Sequence, residues 1–296
     1  MFALAARSSL LIDATDNAAL EAAPRSSADA VLIDLASPAA YAARADARRA
    51  ANKALLAVAA TGRPVHVRVS DSRSGETEGD IMSVVRAGTT AIVLAGVERP
   101  QNARDIDVMI RKQEMRRDLS PGSVRLIAEV DSASGLRALP AILAGIDRHS
   151  AVVLHAPAFA AALRLRGPLT AHTSVLEHAM GELALTTAVA DIDWLLAVPG
   201  VDVPTRAALA NCAHALGAAG VVVASDAEAQ GFNRLFSPDP ANIEAARGVL
   251  AEWDALRKRD GESSVVNGQI VDRRRMRQAR STVERADAIA VRERVH

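Results

Sequence analysis

Two carboxylates separated by one residue, Glu129 and Asp131, end the apolar run Arg125-Leu-Ile-Ala-Glu-Val-Asp-Ser-Ala-Ser-Gly135. In a strand, alternate side chains share a face, so Ile127, Glu129 and Asp131 point one way and Ala128, Val130 and Ser132 the other. Carboxylates on a buried face are costly unless paired, hydrated or bound to a cation. The pair therefore marks either a structural ion-pair network or a chemical site. Arg68, inside Val65-His-Val-Arg-Val69, poses the complementary demand. An always-charged, bidentate guanidinium within a strand needs an anion: a substrate carboxylate or enolate oxygen, or an internal partner such as Glu129 or Asp34. His66 and His155 have the chemistry of acid–base groups, although a lone buried histidine is more often a satisfied core residue.

These side chains need a scaffold that brings strand ends together. Short apolar, β-branched runs at 9–13, 30–35, 64–70, 90–95, 125–131, 151–155, 194–198 and 220–224 predict eight strands. Ala-rich segments with helical spacing lie between them, for example 39–60, 102–118 and 204–218, the last opening at Pro204. Strands alternating with helices pair in parallel through right-handed crossovers, and eight such units predict an α/β fold, a closed (β/α)8 TIM barrel. An open doubly wound sheet is the alternative. Barrel chemistry sits at the C-terminal strand ends, which places Asp13, Asp34, Ser37, Arg68, Ser70, Glu129, Asp131 and His155 at one mouth.

The composition narrows the possible functions. The 296 residues are half hydrophobic but only 2% aromatic, so the core must be built of Ala, Val, Leu and Ile. Basic and acidic residues balance at 35 each, and few rings are available for base stacking, which argues against nucleic acid as a partner. The single Cys212 excludes an internal disulfide and a multi-cysteine metal cluster. Arg7 and Asp13 interrupt the apolar start, so neither a signal peptide nor a membrane span is expected, and a cytoplasmic protein is the default. No Gly-x-Gly-x-x-Gly follows the first strand and no Walker-type loop is present.

The rhythm changes near the C-terminus. A helix at about 240–259 is followed by a loop, then Val265-Val-Asn-Gly-Gln-Ile-Val271 with the Asn-Gly signal of a tight hairpin. Asp272 is placed to cap a last helix from Arg273 to about Ala290, with a narrow apolar stripe of Met276, Ala279, Val283 and Ala286. The division expected is a barrel domain, 1–260, and a C-terminal hairpin-and-helix extension, 261–296. So narrow a stripe needs a surface to cover, on this barrel or a neighbouring subunit. The cluster Arg273, Arg274, Arg275 and Arg277 is either an anion patch or a solvated face.

Ala30-Val-Leu-Ile-Asp-Leu35, Arg63-Pro-Val-His-Val-Arg-Val69, Pro121-Gly-Ser-Val-Arg-Leu-Ile-Ala128, Phe236-Ser-Pro-Asp-Pro240 and Asn267-Gly-Gln-Ile-Val-Asp-Arg273 occur in an order that resembles the citrate lyase beta-subunit-like family. That family includes the malyl-CoA lyases among the HpcH/HpaI aldolases, and the similarity runs over nearly the whole chain. The resemblance implies a TIM barrel with a C-terminal extension, assembled as a homotrimer or higher homo-oligomer. It also implies cleavage or formation of a carbon–carbon bond in a β-hydroxyacyl thioester, on CoA or an acyl carrier, or in a related small carboxylate. Charge on the enolate would be stabilised by Mg²⁺ and an arginine.

Position by position, the resemblance makes Arg68 the catalytic and substrate-holding arginine and Asp34 the first acid of an Asp-Leu-Glu-Asp pattern. Asp131 takes the place of the metal-binding glutamate, one methylene shorter. The second and third acids of the pattern are Ala36 and Ser37 here, and the second metal carboxylate is Ala158 within His155-Ala-Pro-Ala-Phe159. Val223-Ala-Ser-Asp226 replaces a Cys-Ile-His-Pro stretch. Glu129 stands where the family has an apolar residue and is expected to neutralise Arg68 or to line the substrate pocket. The readings are therefore a lyase with Mg²⁺ on Asp131, a degenerate homologue that binds a thioester or carboxylate, and a structural subunit beside an active paralogue.

Overall fold

The computed structural model describes residues 6–258, 263–266 and 269–295. It divides into two compact units, Met1–Leu235 and Phe236–His296. The first carries β1 (Ser8–Asp13), α1 (Asn17–Ala22), β2 (Ala30–Asp34), α2 (Pro38–Ala42), α3 (Arg44–Ala59), β3 (Val65–Val69), α4 (Thr77–Val84) and β4 (Ala91–Leu94). It continues with α5 (Pro100–Arg116), β5 (Arg125–Val130), α6 (Ala133–Leu143), β6 (His149–His155), α7 (Ala156–Ala162), α8 (Thr173–Ala190), β7 (Asp193–Ala197), α9 (Val203–Ala215), β8 (Gly220–Val223) and α10 (Asp226–Phe236). The eight strands form a closed barrel in chain order, every neighbouring pair parallel. The TIM barrel, rather than an open sheet, is the fold.

Alternation along each strand fills the barrel. Leu32, Ala91, Val93, Ile127, Ala151, Val153, Leu195, Ala197 and Val222, with Leu11 against them, form one cluster of small and branched side chains, as a core nearly without aromatics must. Closure depends on one glycine. A Cβ on Gly220 would lie 2.2 Å from the Ala6 carbonyl oxygen and 2.7 Å from that of Arg7, so only glycine lets β8 approach the chain entering β1 this closely.

Two departures from regular alternation matter. The helical pattern over 39–60 is broken at Ala43 (φ −110°, ψ 36°), giving a short α2, capped by the Ser37 hydroxyl accepting from the Ala40 N–H, before α3. The β5–β6 register also slips: Leu126 is opposite His149 but Ile127 is opposite Ala151. The extra residue, Ser150, is a bulge of the kind that re-aims a side chain.

The second unit holds α11 (Pro240–Arg257), the antiparallel pair β9 (Ser264–Val266) and β10 (Gln269–Val271), and α12 (Arg273–Val295). The compact units divide after Leu235. Trp253 of α11 packs with Val271 and Met276, supported by Val249, Leu250 and Leu256, so α11 shares its apolar face with the tail elements. Asp272 caps α12, its carboxylate accepting from the Arg275 N–H at 2.8 Å. The Asn267-Gly268 turn and residues 259–262 of the expected loop lie outside the described residues. Arg273, Arg274 and Arg277 are exposed, as on a solvated face. Among the described residues, no helix is long and apolar enough to cross a membrane.

Candidate functional site at the barrel mouth

Strand register explains how the charged residues meet. Asp13, Asp34 and Arg68 are successive partners across β1, β2 and β3, and the same row continues through Val93 to Ile127. Glu129 stands two residues further along β5, on the face of Ile127. The long Arg68 side chain can thus engage Asp34 on the neighbouring strand and Glu129 from across the interior.

The guanidinium does both. Arg68 Nε and Nη2 donate to Glu129 Oε2 and Oε1 at 2.8 and 2.7 Å, a bidentate pair, and Nη1 donates to the two Asp34 oxygens at 3.1 and 3.3 Å. The side chains are 16, 2 and 10% exposed for Arg68, Glu129 and Asp34. Burial alone would raise the Glu129 carboxyl, but the Arg68 charge and hydrogen bonds outweigh it and hold that group below its ordinary value. Burial would likewise lower Arg68, and the Glu129 charge overrides it to hold the guanidinium firmly protonated. Asp34 moves the other way: burial raises it, and Arg68 offsets only part. The contrast follows the geometry, since Glu129 takes the short fork and Asp34 the longer contacts.

The remaining mouth residues have local duties. Asp13 accepts from the Thr15 N–H and hydroxyl at 2.8 and 2.7 Å; burial would raise it, but these bonds and one from Ser37 pull it down. The Ser70 hydroxyl meets Arg44 Nη2 at 2.9 Å. His155 Nδ1 accepts the Ala158 N–H at 3.2 Å and caps α7. His66 is buried one layer below Arg68. Asp131 lies just past β5, half-buried, and its carboxyl is raised by burial and then by the Glu129 charge, with His155 and Arg68 opposing.

Sequence reasoning missed Arg44. From the start of α3 it donates to the Leu35 carbonyl and to Ser70, pairs with the fully buried Asp80 at 3.4 Å, and lies 4.8 Å over the Tyr41 ring. It ties the outgoing ends of β2 and β3 together. Helical spacing alone carries no signal for a role that depends on the kink at Ala43.

The donor set does not fit the two-carboxylate Mg²⁺ site that the resemblance implies. Both Glu129 oxygens are committed to Arg68, and Asp34 Oδ1 also accepts from the Ala36 N–H at 2.8 Å. Residue 158 is alanine, and Asp131, which takes a hydrogen bond from the Gly96 backbone, is the other position that the resemblance assigns to the metal. Among the described residues, no group of three or more His, Cys, Asp or Glu side chains is arranged to hold a metal ion.

A closed parallel barrel with an arginine–carboxylate cluster at its C-terminal strand ends defines an α/β-barrel protein of the type whose chemistry lies at that mouth. The chain belongs to the HpcH/HpaI aldolase/citrate lyase family, whose profile matches residues 7–225. It is 27% identical over 277 residues to the citrate lyase subunit beta of Escherichia coli, spanning 90% of this chain and 88% of that protein. With the citrate lyase subunit beta of Leuconostoc mesenteroides it shares 22% identity over 262 residues, 88% of this chain and 86% of the relative. The fold matches a citrate lyase from Burkholderia xenovorans with a TM-score of 0.73 at 16% identity, over 98% of this chain and 94% of the other. It also matches CitE of Mycobacterium tuberculosis in complex with magnesium, acetoacetate and coenzyme A, with a TM-score of 0.66 at 23% identity, over 96 and 99% of the two chains.

Proposed function

We propose that this chain is a non-catalytic member of the citrate lyase beta-subunit-like family, whose barrel acts as a binding or structural subunit beside an active paralogue. The observation that carries this reading is the bidentate Glu129–Arg68 pair. A family enzyme needs its arginine free for a substrate oxygen on which charge develops. Here an internal carboxylate takes that place, and the mouth holds Asp34, Glu129 and Asp131 against one guanidinium. An incoming small carboxylate would meet these carboxylates with the Arg68 fork already taken.

Freeing the arginine tests this directly. Glu129→Leu restores an apolar residue at position 129 and leaves Arg68 with Asp34 alone. Calorimetric titration with oxaloacetate is expected to give no binding to the unmodified protein and measurable binding to the variant. Equal binding by both would show that Glu129 does not close the site. Co-purification from the native source then separates a subunit from a free-standing binder, because a subunit brings an active lyase with it.

A second reading, a barrel that still binds an acyl-CoA or acyl-carrier thioester, is supported by the fold match to CitE of Mycobacterium tuberculosis in complex with coenzyme A. A thioester carries no carboxylate at its reacting end and so does not need Arg68. Binding of acetyl-CoA without Mg²⁺, and without hydrolysis or condensation, would support it.

A further inference from the structure

The second unit carries its charge unevenly. From Arg273 to Val283, α12 holds Arg273, Arg274, Arg275, Arg277 and Arg280 without one acidic residue, whereas acids and arginines are interspersed from Glu284 onward. Arg273, Arg277 and Arg280 stand at i, i+4 and i+7 and so share one face of the helix, with Arg274 beside them. These four are exposed, and none of them takes part in an ion pair among the described residues.

Local physics opposes this arrangement. Arginines one turn apart repel, and the N-terminal end of a helix is its positive end, where anions rather than cations are stabilising. A face that meets only water gains from mixing signs, as the second half of α12 does. A cluster that breaks the local rule is expected where the surface has a partner.

Beside the arginines, the hairpin adds a small apolar patch. Val265 and Ile270 are directly opposed across β9 and β10, 70 and 61% exposed, while Val271 is buried against Trp253. Only Val271 and Asp272 separate Ile270 from Arg273 along the chain.

The patch selects among anionic partners. A bilayer is entered by a continuous apolar helix face, and that of α12 is already covered, with Met276 and Ala279 buried. No Phe, Tyr or Trp follows Trp253, so the patch has no ring on which a nucleic-acid base could stack. Two opposed aliphatic side chains flanked by arginines instead match a peptide that carries carboxylates around an apolar residue.

We propose that this surface docks an acidic segment of a partner protein, its carboxylates on Arg273, Arg274, Arg277 and Arg280 and an apolar side chain against Val265 and Ile270. The surface belongs to the second unit, so it does not depend on what the barrel mouth binds.

The test titrates the full chain with a short fluorescein-labelled peptide of repeated Glu-Leu-Glu, followed by anisotropy. Binding is expected at low salt and should weaken as salt rises, because the arginines are exposed. Arg273→Glu, Arg274→Glu and Arg277→Glu together should weaken it by at least about tenfold, the sum of three exposed ion pairs. The melting temperature of that variant should not fall, since acids suit the positive end of α12. Val265→Ser with Ile270→Ser should weaken binding of this peptide but not of one of repeated Glu-Ser-Glu, and this variant decides if the triple one does not fold. No binding at millimolar peptide in low salt, either variant binding unchanged, or equal affinity for a Lys-Leu-Lys peptide would overturn the proposal. So would tighter binding of a single-stranded oligonucleotide of equal charge, or of phosphatidylserine vesicles.

Discussion

Arg68→Ala removes the cation from the centre of the mouth cluster and strands two carboxylates. Glu129 loses two short charge-assisted hydrogen bonds, at 2.7 and 2.8 Å, and Asp34 loses two longer ones, at 3.1 and 3.3 Å. At about 1.5–3 kcal/mol for each good bond to a charged group, the Glu129 fork alone represents about 3–6 kcal/mol. That agrees with the roughly 3–5 kcal/mol for breaking one side of a buried pair. All three groups are well under a third exposed, so solvent screening removes little of this. For a unit of this size, the loss corresponds to a melting temperature lower by about 6–20 °C. The effect also has a pH signature. Glu129 is held below its ordinary 4.5 in the folded state, so its contribution is full above that pH and is lost as pH falls through the lowered value. Asp34, raised when folded, has the opposite sign: its contribution is present below 3.8 and fades as pH rises. Removing Arg68 lets Glu129 take a proton, so the gap between variant and unmodified protein should narrow between pH 7 and pH 4. Urea unfolding at both pH values measures it. A loss under about 1 kcal/mol at pH 7, the range of an exposed pair, would refute the buried-cluster description.

Restoring the family's metal oxygens, Asp131→Glu with Ala158→Asp, should create Mg²⁺ affinity visible by calorimetry where the unmodified protein shows none; failure of both proteins to bind would mean that positions 131 and 158 do not face one site. Gly220→Ala places a methyl group against two backbone carbonyls that cannot move independently. Its destabilisation should reach or exceed the top of the about 1–3 kcal/mol usual for overpacking, and a melt within 1 °C of the unmodified protein would contradict the close β8–β1 approach. Light scattering should find a homotrimer or larger homo-oligomer, as the family resemblance implies; a monomer would end that expectation.

Much of this architecture could be read without coordinates, for physical reasons. Each strand is a short β-branched run set between Ala-rich helical segments, so all eight could be located to within two residues or so. The Arg68 partners were also legible, because a guanidinium in a strand must find anions, and strand parity offered Glu129 and Asp34. What alternation could not reveal are the places where it fails. The bulge at Ser150 adds a residue without any Gly or Pro to announce it, so β6 begins at His149, two residues before the apolar run that starts at 151. Ala43 breaks a helix with a residue that favours helices, and Arg44 gains its role only through that break. The apolar face of α11 carries no sequence signal for its partner, and Trp253 on it meets the Val271–Met276 patch.

The most direct measurement is a calorimetric titration of the unmodified full chain with Mg²⁺ in the presence of saturating acetyl-CoA and oxaloacetate, with the products of carbon–carbon bond formation or cleavage assayed in the same samples. With Glu129 closed on Arg68 and alanine at 158, no Mg²⁺-dependent heat and no turnover are expected. Stoichiometric Mg²⁺ binding accompanied by product would show that the cluster opens to substrate and that the barrel is a working lyase.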